Sequence, residues 1–337
     1  MRRLLVALGG LSLAGLLVLG GALLWAVAQF EAPGRFTADT TVLIPRGTGI
    51  GGIAARLHEA GVLDHPVVFE WATRWFAARQ PLQAGEYRFT AGMSPRAVME
   101  KMMRGETEKR RLTVAEGLTT PEVLDLVRHA DGLDGELSPQ TLALPEGRLL
   151  PETYFYSWGD SRDGLVQRMA QAMDRLLAEA WPHRADGLAI TTPQEAVILA
   201  SIVEKETAVP EERPRIARVF MNRLERGMRL QSDPTVIYAL TQGKTALGRP
   251  LSRADLAVDS PYNTYEHYGL PPGPIANPGR DSILAVLQPA AGNDLYFVAD
   301  GTGRHAFAET LAEHNRNVAA LRRLEASRPP ASVPDKE

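Results

Sequence analysis

Twenty-five residues, Leu4 to Ala28, pass without a single charge directly after Met1-Arg2-Arg3. As a helix rising ~1.5 Å per residue, such a run is ~38 Å long and crosses a ~30 Å hydrocarbon layer with some tilt. Arg2 and Arg3 should stay in the cytoplasm, which sends everything after Phe30 outward. A cleaved signal peptide is the alternative, because Ala26-Val27-Ala28 resembles a cleavage site. Signal peptides, however, carry apolar cores of about 7–15 residues, well short of this run. The expectation is an uncleaved transmembrane anchor over residues 1–30, and in either case the rest of the chain works outside the cytoplasm without an ATP supply.

Composition narrows the chemistry left to that exported part. The full chain has 337 residues, 37 basic against 40 acidic, for a net charge of −3. A chain devoted to duplex nucleic acid needs a basic surplus, so no nucleic-acid partner is expected. With 45% hydrophobic residues it can bury a core, which excludes wholesale disorder. It contains no cysteine, which removes disulfides, thiolate metal sites and cysteine nucleophiles together. The seven histidines are scattered, with no HExxH or paired spacing, so neither a metal nor another cofactor is expected. No Gly-x-Ser-x-Gly elbow, Ser-x-x-Lys motif or P-loop is present either.

Periodicity and breakers predict an α+β chain. Strands are expected at Thr40–Ile44, Gly85–Phe89 and Arg111–Val114, with helices over Ile50–Ala60, His65–Ala78, from Ser94-Pro95 to Gly105, and over Glu122–His129. Residues 31–131 are read as a first exported domain of small α/β units resembling the LysM type, a module associated with glycan binding. A spacer of the same topology without a ligand is the alternative. Residues 132–326 form a mixed helical catalytic domain with small β elements, and 327–337, rich in Pro and Ser, a disordered tail. In the catalytic domain, Leu165–Ala180 is amphipathic, and Thr192-Pro193-Gln194-Glu195 is a helix start with cap, Pro and N3 Glu. That helix must end before Pro210. Another follows to Gly227, a short one begins at Asp233-Pro234, and Ser260–Gly279 is irregular. Asp281–Leu287, a hairpin about Asp300-Gly301 and a closing helix over Leu311–Ala326 complete the chain.

One carboxylate stands out. At ~100° per residue, Leu199, Val203 and Glu206 fall in a narrow arc, whereas Glu204 lies well around the cylinder. An anion facing an apolar wall is disfavoured, so its pKa rises. A glutamic acid protonated near neutrality is what glycosidic cleavage needs as general acid. The competing reading is that Glu206 snorkels past the helix end or pairs with Arg213 or Arg223. Nearby in sequence are groups suited to sugar rings: Gln231, Asp233, Thr235 and Tyr238 at the start of the short helix, then Tyr262, Asn263, Thr264 and Tyr265 in the Pro/Gly-rich loop. Flat aromatic faces, amides and hydroxyls on loops held by a scaffold are natural carbohydrate contacts.

The run Ala200-Ser201-Ile202-Val203-Glu204-Lys205-Glu206-Thr207 closely resembles the endolytic murein transglycosylase family (MltG, YceG-like). The resemblance continues through Phe220-Met221-Asn222-Arg223-Leu224, Met228 to Tyr238, Tyr262-Asn263-Thr264-Tyr265, Gly269 to Ile275 and Leu295 to Ala299. Met221 and Pro274 depart from the family's usual Ile and Ala. The resemblance implies a LysM-like subdomain ahead of the catalytic domain, with Glu206 as the catalytic residue. It implies a lyase in the bacterial inner (cytoplasmic) membrane, with its catalytic domain on the periplasmic side. There it would cleave the MurNAc–GlcNAc β-1,4 bond within nascent peptidoglycan strands to leave 1,6-anhydroMurNAc ends, and so terminate strand elongation. Peptidoglycan synthases, the penicillin-binding proteins, are implied as partners. Two other readings remain open: a hydrolytic muramidase in which Asp233 activates water, and a non-catalytic glycan-binding scaffold for the synthases.

Overall fold

The computed structural model of the chain describes residues 2–76 and 80–327, so the expected disordered tail lies, beyond Ser327, outside the described residues. The fold is α+β, with three two-stranded sheets among the described residues. The chain divides into two compact units. The first holds residues up to Arg110 with Gly132–Asp134 and Phe155–Asp160, and the second holds Arg111–Asp131, Gly135–Tyr154 and everything from Ser161.

The first unit begins with α1 (Arg2–Glu31), followed by β1 (Thr40–Ile44), α2 (Ile50–Glu59), α3 (Pro66–Phe76), β2 (Gly85–Phe89) and α4 (Pro95–Arg104). The stretch Leu13–Glu31 of α1 is apolar and long enough to cross a membrane, and almost none of it is buried within the protein. β1 and β2 pair antiparallel, Thr40 opposite Phe89 and Ile44 opposite Gly85. Alternation along the strands sends Val42, Ile44, Tyr87 and Phe89 inward, onto Ile53, Leu57, Phe69, Val98 and Met102. The start of α4 follows its sequence signals: Ser94 Oγ accepts from the Ala97 amide at 3.3 Å. Gly105 ends it in the left-handed region at φ 66°, where a side chain would be strained.

The second unit contains α5 (Thr120–His129), α6 (Pro139–Leu142), α7 (Arg162–Ala180), α8 (Pro193–Glu206), α9 (Arg213–Glu225), α10 (Asp233–Thr241), α11 (Arg280–Leu287), the hairpin strands β5 (Tyr296–Ala299) and β6 (His305–Ala308), and α12 (Leu311–Ser327). A further strand pair joins β3 (Arg110–Thr113) to β4 (Thr153–Tyr156). α5, placed by the sequence before a boundary at 131, buries Val123, Leu124 and Val127 and packs beside α7 within the second unit. β4 carries no local signal, since its partner lies about forty residues away and no tight turn links them.

α8 is the central element. Thr192 Oγ1 accepts from the Glu195 amide at 3.2 Å, and Glu195 Oε2 accepts from the Thr192 amide at 3.1 Å, closing the capping box. Every residue from Ala196 to Val203 is buried, against α9, α11 and residues such as Ile216, Phe220, Ile275, Ile283 and Val286. A helix apolar on all sides belongs in a core. The narrow apolar stripe expected from the sequence is therefore a fully enclosed cylinder, and helical phase alone does not distinguish Glu206 from Glu204.

Candidate active site

Glu206 is the final residue of α8, and Thr207 leaves the helix in an extended conformation. Thr207 fixes that exit: its hydroxyl accepts from the Val209 amide at 3.0 Å and donates to Glu212 Oε2 at 3.3 Å. Glu212 in turn accepts from the His305 amide at 2.9 Å and lies 2.7 Å from His305 Nδ1. Burial pushes the Glu212 carboxyl up, but the bonds from His305 outweigh it and leave it below its ordinary value.

The Glu206 side chain meets Ser232, whose hydroxyl donates to Oε1 at 2.5 Å. Among the described residues no cation stands within ion-pair distance of it. Arg213 is engaged with Glu204 at 3.0 Å and Glu116 at 2.9 Å. Arg223 spends its guanidinium on the Leu295 and Leu230 carbonyls at 2.7 and 2.6 Å. Neither partner named by the competing reading pairs with Glu206. Burial pushes the carboxyl up to about 7; the Ser232 bond pulls it down, the Asp233 charge raises it, and His305 and Arg223 lower it. The carbonyl end of α8 also disfavours a negative charge there. The residue as a whole keeps some exposure and lines an open cleft of about 370 Å³ with Glu116, Gly117, Glu204, Lys205, Thr207, Ala208 and Arg213.

Ser232 is held from three sides. Its amide donates to Thr264 Oγ1 at 3.0 Å, and its carbonyl accepts from Thr235 Oγ1 at 2.7 Å. Thr235 and Thr264 hydroxyls lie 2.8 Å apart, both buried. Just before it, Gln231 occupies the left-handed region at φ 50°, a conformation that costs a non-glycine residue about 1 kcal/mol or more. A bond from the Gln231 amide to the Thr264 carbonyl at 3.1 Å holds that turn. Ser232 occupies the cap position of α10, yet its hydroxyl makes no cap bond; it serves Glu206 instead.

The sequence-derived residues fall into two groups. Glu206, Thr235, Thr264 and the Gln231 backbone belong to one network. At its edge Asp233 is exposed and accepts a bond from Tyr265 Oη at 2.6 Å, while burial and that bond raise the Tyr265 phenol. Asn263 is fully buried: its amide nitrogen donates to the Leu256 and Val258 carbonyls, and its oxygen accepts from the Tyr265 amide. It shapes the loop and presents nothing outward. Tyr238 lies ~7.5 Å further along α10 than Asp233 and packs on Tyr262 with ring centroids 4.8 Å apart. Burial raises both phenols, with Glu146 adding to it.

One contributor escaped the sequence reading and another has a different part from the one considered there. Ser232 had a signal, a serine directly before Asp-Pro, but not one that named its target. Arg223 appeared there as a partner for Glu206 and proves to be a buried brace beneath the Tyr296 ring, 5.4 Å from its centroid.

The YceG-like family model matches residues 42–320. The endolytic murein transglycosylase of Streptococcus pneumoniae (strain D39) is 32% identical over 325 residues, covering 83% of this chain and 58% of its own length. The protein of that name from Bacillus subtilis is 31% identical over 331 residues, covering 89% of this chain and 90% of its own. The crystal structure of a YceG-like protein from Listeria monocytogenes superposes with a TM-score of 0.51 at 31% identity, covering 83% of this chain and 99% of that one. The chain thus spans little more than half of the streptococcal relative.

Proposed function

Because this chain belongs to the YceG-like family, we propose that it is an endolytic peptidoglycan lyase with Glu206 as its acid–base group. The observation that carries the reading is a cleft-lining glutamate held protonated near neutrality by burial, with a hydroxyl and, among the described residues, no cation on its carboxyl. Oε1 accepts the Ser232 proton, so the acidic hydrogen resides on Oε2. From there it passes to the glycosidic oxygen as the MurNAc C1–O bond breaks, leaving an oxocarbenium-like sugar. The resulting carboxylate, steadied by Ser232, takes the proton of the MurNAc C6 hydroxyl as that oxygen closes on C1. The product is a 1,6-anhydro end, and Glu206 is protonated again. Contact with the strand is assigned to Asp233 and Tyr265, at the edge of the network, a reading supported by the exposure of Asp233 and its bond from Tyr265 Oη. Thr235, Thr264 and Asn263 position them, and Gln231, Tyr238 and Tyr262 are assigned to more distant sugar contacts.

α1 serves as a single-pass anchor in the cytoplasmic membrane, with the rest of the chain on the outer side. The β1-α2-α3-β2 order with antiparallel strands supports a LysM-like assignment for the first unit. Nascent strands are the substrate and peptidoglycan synthases the partners. Mass spectrometry of purified strands incubated with the detergent-solubilised chain tests the reading. Anhydro ends are expected, and they should vanish with Glu206→Gln. Ends heavier by one water would mean hydrolysis with Asp233 activating the water. Binding without cleavage by the unaltered chain would mean a scaffold.

A further inference from the structure

α3 is apolar on two sides. Phe69 and Thr73 are fully buried in the first unit's core. Val67, Trp71 and Trp75, one every four residues and within an arc of ~80°, point away from it with 63, 70 and 82% of their surfaces exposed. Isolated exposed side chains need no explanation, but two tryptophans in line on one short helix do. Beside them, Val68, Ala72 and Phe76 face α1, and Phe76 stacks on Phe30 at 6.1 Å. Together with Leu23, Ala26 and Val27 these residues line an apolar groove of about 620 Å³. The groove is continuous with the exposed apolar surface of α1, which carries Leu16, Leu19, Leu23 and Leu24.

The charges bordering this surface are spent on each other. Glu70 pairs with Arg74 at 2.6 Å, and Glu31 pairs with Arg96 at 2.6 Å. The level along α1 also matters. The uncharged run of ~38 Å outreaches a ~30 Å hydrocarbon core, so its last turns, where α3 packs, lie in the headgroup zone. Tryptophan is enriched at that level because its ring is apolar and its N–H is polar.

We infer that the Val67–Trp71–Trp75 face of α3 is a lipid-docking surface, seated in the outer headgroup region beside α1. The occupant is bilayer lipid, held by aromatic burial rather than by anionic headgroups. The inference rests on the reading of α1 as a membrane anchor, and the test separates the two. Because the chain has no cysteine, one introduced cysteine carries a unique nitroxide. Labels at Val67→Cys, at Leu17→Cys within α1, and at Glu59→Cys on the exposed side of α2 are compared in the full chain reconstituted into phosphatidylcholine vesicles.

The label at 67 should be several-fold more accessible to oxygen, relative to an aqueous nickel chelate, than the label at 59, and less so than the deeper label at 17. Adding phosphatidylglycerol should leave that ratio unchanged. Trp71→Gln with Trp75→Gln, both on exposed positions, should return the label at 67 to aqueous values without moving the label at 17. An aqueous label at 67 beside a lipid-exposed label at 17 overturns the inference and leaves the anchor standing. An aqueous label at 17 overturns both. A label at 67 that is aqueous in pure lipid but shielded in native membranes assigns the face to a partner protein and overturns the lipid occupant.

Discussion

Glu204 and Glu206 leave the same turn of α8, ~200° apart around its axis, and enter opposite surroundings. Glu204 is only 4% exposed and has Arg213 at 3.0 Å, with the Gly279 amide donating to it at 2.8 Å. Burial raises its carboxyl, and although that amide and Arg213 lower it in part, it stays above its ordinary value. Among the described residues Glu206 receives one hydroxyl and no ion pair. Burial by itself therefore does not make an acid catalyst. A buried carboxylate given a cation becomes part of the scaffold, and one denied a cation keeps its proton.

The sharpest way to break this contrast is Glu206→Gln, which keeps shape and neutrality but removes the transferable proton. Strand cleavage should fall by about 10³-fold or more, read as loss of anhydro ends, with the circular dichroism spectrum unchanged. Next in size is Arg213→Met, which leaves Glu204 buried without its cation and should cost about 3 kcal/mol of stability by denaturant titration. The Glu206 pKa, followed by NMR, should barely move. Adding Glu204→Gln to that variant should recover most of the loss.

Of similar size is a pH effect. The folded pKa of Glu206 lies near 7 against an ordinary 4.5, so the folded state holds a proton that the unfolded state releases first. That contribution to stability is fully present below the unfolded value and is lost as pH rises through the folded one, on the order of 3 kcal/mol in all. The slope should disappear in Glu206→Gln. Ser232→Ala is milder: removing a donor that favours the anion should move the alkaline limb of the pH–rate profile upward and lower the maximal rate about tenfold. Tyr265→Phe, which strips one hydroxyl from Asp233, should cost a few-fold in kcat/KM with the pH limb in place.

Local signals carried much of this molecule into the sequence. The Thr192–Glu195 box, the Ser94-Pro95 start, the Gly105 stop and the hairpin about Asp300-Gly301 each involve residues a few positions apart, and each is found as expected. The candidate acid was also legible, although by a stripe argument that a fully buried helix does not sustain. What decides its chemistry was not legible. Ser232 is 26 residues from Glu206, and Arg213 reaches Glu116 across 97. Contacts at such separations depend on packing that no periodicity encodes. The same holds for α3, whose pattern suggests an ordinary core helix until its two tryptophans are found on the outside.

The hydrogen that Glu206 keeps belongs to no single segment. It depends on the wall around the end of α8 and on a hydroxyl delivered by a turn that the Gln231 backbone must be bent to form. The unfolded chain has neither, and so carries an ordinary glutamate, ionised in a neutral medium and unable to donate. The raised pKa is thus a property of the assembled tertiary structure, made only when the end of α8 and the turn before α10 are packed together.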